Sequence, residues 1–109
     1  MKIAVIGFGY IGSVISGVLC KEGFEVLAIE KDKNVVNKLN KGISNIPEPG
    51  LDSLINESVE KGLLSGSHEF NAIKTYDVIL VTVGTPLNEG YDADLTALRD
   101  VFKELSSHV

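Results

Sequence analysis

The hydrophobic positions of the first thirty residues follow two different periods. Residues 2–6 form a short apolar run that ends at a glycine, which is typical of a strand buried on both faces. From Tyr10 onward the apolar residues recur with the period of a helix, and we expect that stripe to face the core. The stripe consists of Ile11, Val14, Ile15, Val18 and Leu19. Gly23 is placed to end this helix, and residues 24–29 form a second strand that stops at Glu30.

Strands and helices continue to alternate along the rest of the chain. The remaining predicted elements are a short helix capped by Asp32 and closed by Gly42, a helix that starts at Glu48 or Pro49, a polar strand over 63–68, a brief helix over 71–75, a strand over 77–83, and a last helix with Leu95, Leu98, Phe102 and Leu105 on its apolar side. This alternation predicts an α/β fold, a Rossmann-type doubly wound parallel sheet of about four strands with flanking helices. Because the sequence stops where such a sheet would enter its next strand, residues 1–109 are interpreted as one partial dinucleotide-binding domain.

The turn after the first strand carries the pattern G-x-G-x-x-G at Gly7, Gly9 and Gly12. The pattern alone is weak, but here it lies directly between a strand and a helix, as a dinucleotide-binding turn requires. Gly7 permits the tight turn, Gly9 lets a pyrophosphate approach the backbone, and Gly12 lets helix and strand pack closely. The start of the helix then offers unpaired N–H groups and a partial positive charge to the phosphates. We therefore predict a phosphate-binding turn over residues 7–12.

Glu30 ends the second predicted strand, the position of an acid that binds the hydroxyls of an adenine ribose. It follows Gly12 by eighteen residues, close to the usual spacing of about 20. A carboxylate here repels a 2′-phosphate, which favours NAD over NADP. Lys31 and Lys33 weaken that preference for NAD if they reach the ribose. The alternative is that both are ordinary surface lysines. The alternative interpretation is that there is no binding site here: Gly7 only ends the first strand, and Glu30 is a solvated surface acid.

Composition narrows the class of the protein. Apolar residues make up 44% of the chain and the mean hydropathy is +0.18, which is enough to build a core. The net charge of −5 argues against a nucleic-acid partner or an anionic membrane surface, and no apolar run approaches the ~20 residues of a membrane span. The first residues lack the features of a signal peptide. The single cysteine, Cys20, allows no internal disulfide, which fits a cytoplasmic location.

Three segments together resemble the N-terminal domain of the UDP-glucose/GDP-mannose dehydrogenase family. They are the first strand with its glycine turn at 2–12, the I-P-E-P-G-L element at 46–51, and the V-G-T-P turn at 83–86. The glycine pattern is shared with many unrelated dehydrogenases, whereas the other two elements, in this order and spacing, are far more specific. The resemblance covers essentially the whole chain. It implies an NAD-dependent enzyme that oxidises the C6 alcohol of a UDP- or GDP-sugar to a carboxylate with two NAD.

The resemblance implies roles in NAD binding for residues of the glycine turn and for Glu30. The turn from Gly7 to Gly12 cradles the pyrophosphate, with the backbone N–H of Ile11 pointing at it. Glu30 takes the place of the ribose-binding acid, which in the family is usually an aspartate. Tyr10 lies inside the glycine pattern, where the family often has an aromatic residue near the nicotinamide end of the cofactor.

The resemblance also places residues of the fourth strand and shows one departure. Gly84 and Thr85 are expected beside the ribose on the nicotinamide side, with Thr85 supplying a hydroxyl and a backbone N–H. Family members often carry Lys or Arg five residues after the ribose-binding acid, and here that position is Val35. The adenosine contact would then have to come from Lys31 or Lys33.

No catalytic residue is expected in this chain. The cysteine nucleophile of the family, with its lysine, aspartate and glutamates, lies beyond these residues, so the chain alone is expected to be inactive. Cys20 falls on the first helix near the apolar stripe and is interpreted as a core residue. His68 and His108 have no partner at metal-ligand spacing, and no metal site is predicted. Asp92 and Asp94, just before the last helix, are interpreted as caps.

The expected partner of the whole enzyme is a nucleotide sugar, held mainly by parts outside this chain. The sequence does not identify the sugar. The resemblance implies a homodimer formed through a central helix that is absent here. The chain alone is expected to be monomeric, or to associate through an open sheet edge.

Two other classes of protein are kept open by the residues. One is another Rossmann dehydrogenase, acting on 3-hydroxy acids or 6-phosphogluconate, which opens with the same glycine pattern. It is not expected to carry the two more specific elements. The other is a non-catalytic regulatory module that senses NAD or ATP and is complete near this length. The proline-rich segment and the unfinished sheet argue against it.

The proline-rich segment, residues 44–50, is stiffer than an ordinary connection between helices. Pro47 and Pro49 restrict Ile46 and Glu48 to extended geometry, which predicts a strut across the top of the sheet. Its simplest role is to fix the entry angle of the next helix. The alternative is a rigid rim near the cofactor cleft, with Glu48 facing a substrate domain.

Overall fold

A parallel sheet with helices on both faces forms the body of the protein. The structure, a computed structural model, describes residues 1–83 and 95–108. Its strands are β1 (Lys2–Ile6), β2 (Glu25–Ile29), β3 (Leu64–Ser67) and β4 (Val78–Val81), and its helices are α1 (Tyr10–Lys21), α2 (Lys33–Asn40), α3 (Leu51–Glu60) and α4 (Thr96–His108), with a 3₁₀ helix at Phe70–Thr75. The predicted alternation of strands and helices is confirmed.

β1 is a central strand of the sheet, whose order is β3-β2-β1-β4 with every pair parallel. Ile3 pairs with Val26 of β2 on one side and with Val78 of β4 on the other. From Ile3 to Ile6 no residue is more than 5% exposed, so the predicted burial on both faces is confirmed. Because the chain runs from β1 to β2 and returns beside β1 only with β4, the carboxyl ends of β1 and β4 border the crevice where doubly wound sheets bind ligands.

Alternate residues of the strands point into two separate core layers. Ile3, Val5, Val26 and Ala28 belong to one layer, together with residues of α1, α2 and α3. Ala4, Ile6, Leu27 and Ile29 belong to the other, together with Ile73 of the 3₁₀ helix and with Val101 and Leu105 of α4. Burial from both sides explains why the strands are continuous apolar runs rather than alternating ones.

The most deeply buried side of α1 is not the predicted apolar stripe. Its buried residues are all small: Gly12, Ser13, Ser16, Gly17 and Cys20. Ile11 and Val18, both members of the predicted stripe, are 56% and 48% exposed. A Cβ atom built on Gly17 would lie 2.6 Å from Leu54 Cδ2, so α1 approaches α3 too closely for a large side chain between them. The expectation that the apolar stripe faces the core was therefore wrong for Ile11 and Val18, whereas Val14 and Leu19 are partly buried and pack against the core layer.

The tolerance of α1 to substitution is expected to follow this packing. Gly17→Ala should lower the free energy of unfolding by about 1–3 kcal/mol, because the new methyl group overlaps Leu54. Val18→Ala, one residue away and half exposed, should change it by less than about 0.5 kcal/mol. Urea unfolding followed by circular dichroism measures both values. A larger loss for Val18→Ala than for Gly17→Ala would contradict the packing described here.

Two other helices differ from prediction in detail. On α4 the predicted apolar residue Phe102 is 56% exposed, and its neighbour Val101 is buried instead. Leu105 is buried as predicted. The buried side of α4 thus includes residues 101 and 105. It differs from the predicted stripe in the middle of the helix, where residue 101 is buried in place of residue 102. α3 begins at Leu51, and not at Glu48 or Pro49.

The proline-rich segment is held by local hydrogen bonds rather than by the sheet. The Ser44 hydroxyl accepts the Ile46 N–H at 3.1 Å, and the Ser44 N–H donates to the Asp52 carboxylate at 3.0 Å. Ile46 packs on the core, while residues 47–50 are exposed. Gly50 precedes α3 with a φ of +83°, a conformation that favours glycine. These contacts support the interpretation that the segment fixes the entry of α3.

Candidate functional site

A cleft of about 430 Å³ opens at the carboxyl ends of β1, β2 and β4. Its lining residues are Ile6, Gly7, Gly9, Ile29, Glu30, Lys31, Phe70, Thr82, Val83, Asp100, Val101 and Glu104. The apolar members come from the ends of the three strands, from the 3₁₀ helix and from α4, and the polar side chains follow β2 and β4 or belong to α4. None of residues 44–50 lines it, so the alternative role of the proline-rich segment as a rim of this cleft finds no support.

The glycine turn brings three strands and α1 into close contact beneath this cleft. Gly7 has a φ of +99°, and a Cβ atom there would lie 3.0 Å from Thr82 Oγ1. A Cβ atom on Gly12 would overlap the carbonyl oxygen of Gly7 and lie 2.8 Å from Thr82 Oγ1. Both glycines are therefore required by the packing of the turn itself, as predicted for a tight turn and a close helix start.

Gly9 is different, because the fold leaves open space beside it. A Cβ atom built there has no atom of the described residues within 4 Å, and the φ of −83° suits any residue. This space faces the cleft, which Gly9 lines. A side chain at this position would therefore fill the cleft rather than disturb the protein, as the cradle of a phosphate group requires.

The start of α1 supplies hydrogen-bond donors at the same place that have no partner among residues 1–83 and 95–108. Gly9 is the N-cap and has no side chain to cap the helix, and its carbonyl accepts the Ser13 N–H at 2.9 Å. The N–H groups of the first helical residues, Tyr10, Ile11 and Gly12, precede the first intrahelical bond. Their alignment gives this end of the helix a partial positive charge. These donors suit the oxygens of a pyrophosphate.

Glu30 is held in a fixed orientation at the edge of the cleft. Its Oε1 accepts the Phe8 N–H at 3.2 Å, and its Oε2 accepts the Asp32 N–H at 2.8 Å. A carboxylate has about four acceptor positions, so each oxygen retains one for a further donor such as a ribose hydroxyl. The residue is only partly exposed. The predicted ribose-binding acid is therefore already oriented by the backbone on both sides.

Phe8 is a residue of the turn that sequence reasoning did not assign. Its ring is 1% exposed and lies in the core layer below α1, and its carbonyl accepts the Ser13 hydroxyl at 3.3 Å. Its N–H donates to Glu30, so the side chain, the carbonyl and the N–H of Phe8 all have contacts. The available signal was a large apolar side chain between two glycines, at a position where a solvent-exposed turn does not need one.

The structure brings together only part of the predicted site. Gly7, Gly9, Glu30 and Lys31 line the cleft. The side chains of Tyr10 and Ile11 are 50% and 56% exposed and are not among its lining groups. Gly84 and Thr85 lie outside the described residues, as do Asp92 and Asp94. The sequence did not predict that Thr82, a residue of the 3₁₀ helix and residues of α4 line the cleft, because these residues come from distant parts of the chain.

The departure at Val35 is explained by its place in the fold. Val35 is 9% exposed and belongs to the core layer beneath α2, so this position cannot present a cation to an adenosine. Of the two lysines that were expected to replace it, Lys31 lines the cleft and Lys33 does not.

Other groups with possible chemistry lie away from the cleft. Cys20 is 2% exposed, and burial raises the pKa of its thiol above the ordinary value, with the Ser58 side chain acting in the opposite direction. The interpretation of Cys20 as a core residue is therefore confirmed. Within residues 1–83 and 95–108, no three His, Cys, Asp or Glu side chains are grouped to hold a metal ion. Over the same ranges, no helix has both the length and the apolar content to cross a membrane.

A family model described as the UDP-glucose/GDP-mannose dehydrogenase family, NAD binding domain, matches residues 1–109. The chain belongs to this family. The cofactor of this domain of the family is NAD, and the open cradle at Gly9 with the donors of α1 fits it. The expectations of a Rossmann-type fold and of NAD are thereby confirmed.

Similar proteins and structures agree with this membership. The chain is 36% identical over 106 residues to GDP-mannose 6-dehydrogenase of Pseudomonas aeruginosa, covering 96% of this chain and 24% of that protein. It is 34% identical over 109 residues to a UDP-glucose 6-dehydrogenase of Bacillus subtilis, with 99% and 24% coverage. A crystal structure of a ternary complex of the Pseudomonas aeruginosa GDP-mannose dehydrogenase superposes with a TM-score of 0.94 at 36% identity, over 96% of this chain and 24% of that one. The chain thus spans about a quarter of the length of the relatives that it matches.

More distant dehydrogenases share the fold alone. A diketoreductase superposes with a TM-score of 0.72 at 20% identity, covering 100% of this chain and 38% of that one. The alternative of another type of Rossmann dehydrogenase therefore has support from the architecture and not from the family of the sequence.

Proposed function

We propose that this chain is the NAD-binding part of a nucleotide-sugar 6-dehydrogenase and that it binds NAD in the cleft at the glycine turn. The observation that carries the proposal is Glu30, whose carboxylate is fixed by two backbone N–H groups beside the N–H groups at the start of α1. The acceptor, Glu30, suits a ribose, and the neighbouring N–H donors suit a pyrophosphate. Ribose and pyrophosphate are adjacent in NAD in the same way.

The adenosine half of NAD occupies the part of the cleft described here. The pyrophosphate lies over Gly7 and Gly9 and accepts from the N–H groups at the start of α1, including that of Ile11. The ribose hydroxyls donate to Glu30. The adenine ring enters the apolar slot that is lined by Ile29, Phe70, Val83 and Val101. Tyr10, Gly84 and Thr85 are proposed for the nicotinamide half.

The charges around the cleft favour NAD over NADP. Glu30, Asp100 and Glu104 line it as carboxylates, and Lys31 is the cation among its lining residues. A 2′-phosphate on the ribose would be brought toward this acidic set and repelled by it. Lys31 is placed to offset that repulsion in part, so the preference is expected to be clear but finite.

The remaining functions of a full-length protein are proposed from its relatives. They are named as GDP-mannose and UDP-glucose 6-dehydrogenases, which supports a UDP- or GDP-sugar as substrate and a C6 alcohol as the group oxidised. NAD supplies the hydride acceptor for such an oxidation. We place the catalytic groups outside these 109 residues, and propose a homodimer in the cytoplasm that serves polysaccharide biosynthesis. The buried free thiol of Cys20 fits that compartment.

Titration of the chain with NAD, NADP and ATP tests this function. NAD is expected to bind at least about tenfold more tightly than NADP, or about 1.4 kcal/mol. Glu30→Gln should weaken NAD binding by a similar factor, because an NH2 group replaces one of the two carboxylate oxygens and leaves one of the two backbone N–H groups without its acceptor. Isothermal titration calorimetry measures each affinity.

Glu25 offers a matched control for Glu30 on the same strand. Its carboxylate lies at the opposite end of β2, half exposed, 3.9 Å from the Lys2 ammonium. Glu25→Gln should leave NAD affinity unchanged. A wild-type chain that prefers NADP or ATP, or a Glu30→Gln variant that binds NAD as the wild type does, would refute the proposed site.

A further inference from the structure

We propose that Thr82 is a positioning residue for NAD, and that it orients the Glu30 carboxylate through the peptide group between Gly7 and Phe8. The inference rests on the proposed function of the cleft, and adds a residue just after β4 that the sequence pattern did not assign. Thr82 lines the cleft but acts on the turn beneath it.

The Thr82 hydroxyl lies between two carbonyl groups of the turn. Its Oγ1 is 3.0 Å from the carbonyl oxygen of Ile6 and 3.0 Å from that of Gly7, and its single proton serves one of them at a time. The Ile6 carbonyl already accepts the Thr82 backbone N–H at 2.8 Å. The hydroxyl is therefore expected to donate to the Gly7 carbonyl, which has no such backbone donor among the described residues. This hydrogen bond connects the end of β4 to the glycine turn.

The other side of the same peptide group is bound to Glu30. The Phe8 N–H donates to Glu30 Oε1 at 3.2 Å, so the chain of bonds runs from Thr82 through one peptide to the carboxylate. A peptide group is planar and rigid, so a hydroxyl that fixes its C=O also fixes the direction of its N–H. Hydrogen bonds in such a chain also polarise each other, which strengthens the donor that Glu30 receives.

The Gly7 N–H donates to the Ile29 carbonyl at 2.7 Å, which holds the peptide group before Gly7 but leaves the one after it to other contacts. Gly7 has a φ of +99°, and a residue without a Cβ atom rotates at low cost. On the other side of the peptide, the Phe8 side chain and carbonyl are already fixed by the core and by Ser13. Among the described residues, Thr82 supplies the side-chain hydrogen bond to the Gly7 carbonyl and so restricts the orientation of this peptide group.

Substitutions that separate the hydroxyl from the shape of Thr82 test this role. Thr82→Val keeps the shape and removes the hydroxyl, and is expected to weaken NAD binding about tenfold in calorimetry. Thr82→Ser keeps the hydroxyl and is expected to remain within about twofold of the wild type. Thr82→Ala serves in place of the valine variant if circular dichroism shows that variant to be unfolded.

Ser16 provides a control for the loss of a buried hydroxyl as such. It is fully buried on α1, and its hydroxyl has no hydrogen-bond partner among the described residues. Ser16→Ala should therefore leave NAD affinity unchanged. A Thr82→Val variant that is folded and binds NAD as tightly as the wild type would overturn the inference, as would a Thr82→Ser variant that binds as weakly as the valine variant.

A double-mutant cycle tests the route through Glu30. In a Glu30→Ala background, Thr82→Val is expected to cause no further loss of NAD affinity, because the carboxylate that it positions is gone. A full tenfold loss in that background would overturn the route. The proposed function fails separately, if the wild-type chain does not bind NAD at all.

Discussion

Replacing Gly9 with valine is expected to abolish NAD binding while the domain stays folded. A Cβ atom at this position meets no described atom within 4 Å, and the backbone conformation is one that valine adopts. The added side chain instead fills the space where the pyrophosphate approaches the backbone. We expect affinity to fall by at least about a hundredfold, or about 2.7 kcal/mol, in calorimetric titration.

The thermal unfolding midpoint decides how that loss is interpreted. It should stay within about 2 °C of the wild type, which corresponds to a few tenths of a kcal/mol for a domain of this size. Val18→Ala, on the exposed side of the same helix, is the control that should change neither quantity. A Gly9→Val variant that loses its fold together with its binding would show that Gly9 is structural first.

Gly12→Ala is expected to destabilise the domain itself. Its Cβ atom would overlap the carbonyl oxygen of Gly7, and would lie 2.8 Å from the Thr82 hydroxyl. The overlapping atom belongs to the backbone at the end of a central strand, so it cannot move aside as the end of a side chain does. We expect the free energy of unfolding to fall by about 3 kcal/mol or more, measured by urea unfolding in the absence of NAD.

Gly17→Ala is the matched comparison on the same helix. There the new methyl group meets the Leu54 side chain, which has rotamers available, so the loss should be the smaller of the two. Equal losses for the two variants would show that the contact between Gly12 and the turn is not as close as the structure has it. Gly9→Val and Gly12→Ala together distinguish a glycine of the pattern that serves the ligand from one that serves the fold.

The parts of this structure that sequence predicts well are those determined by neighbouring residues. Asp32 was expected to cap α2, and its carboxylate accepts the Asn34 N–H at 2.9 Å. Gly23 was expected to end α1, and it does so with a φ of +97°. Strand boundaries follow from apolar runs and glycines in the same way, which is why the order of elements was predicted correctly.

The parts that sequence did not predict depend on how closely distant elements approach. The apolar stripe of α1 satisfies every local rule for a buried face, yet the contact of Gly17 with Leu54 selects the side made of small residues. The same holds for the site. Glu30 was found from its spacing, whereas Thr82 reaches the turn across seventy-five residues, from Gly7, through sheet pairing that no local pattern contains.

The central position of β1 has a consequence for the synthesis of the protein. Ile3 pairs with Val26, twenty-three residues away, and with Val78, seventy-five residues away, so the two edges of β1 are closed at different times. At a synthesis rate of about 5–20 residues per second, the chain between β2 and β4 takes about 3–10 s to emerge. During those seconds one edge of β1 presents unpaired backbone N–H and C=O groups. Completion of the sheet, and with it the Thr82 contact to the glycine turn, therefore requires the last of the four strands to be synthesised.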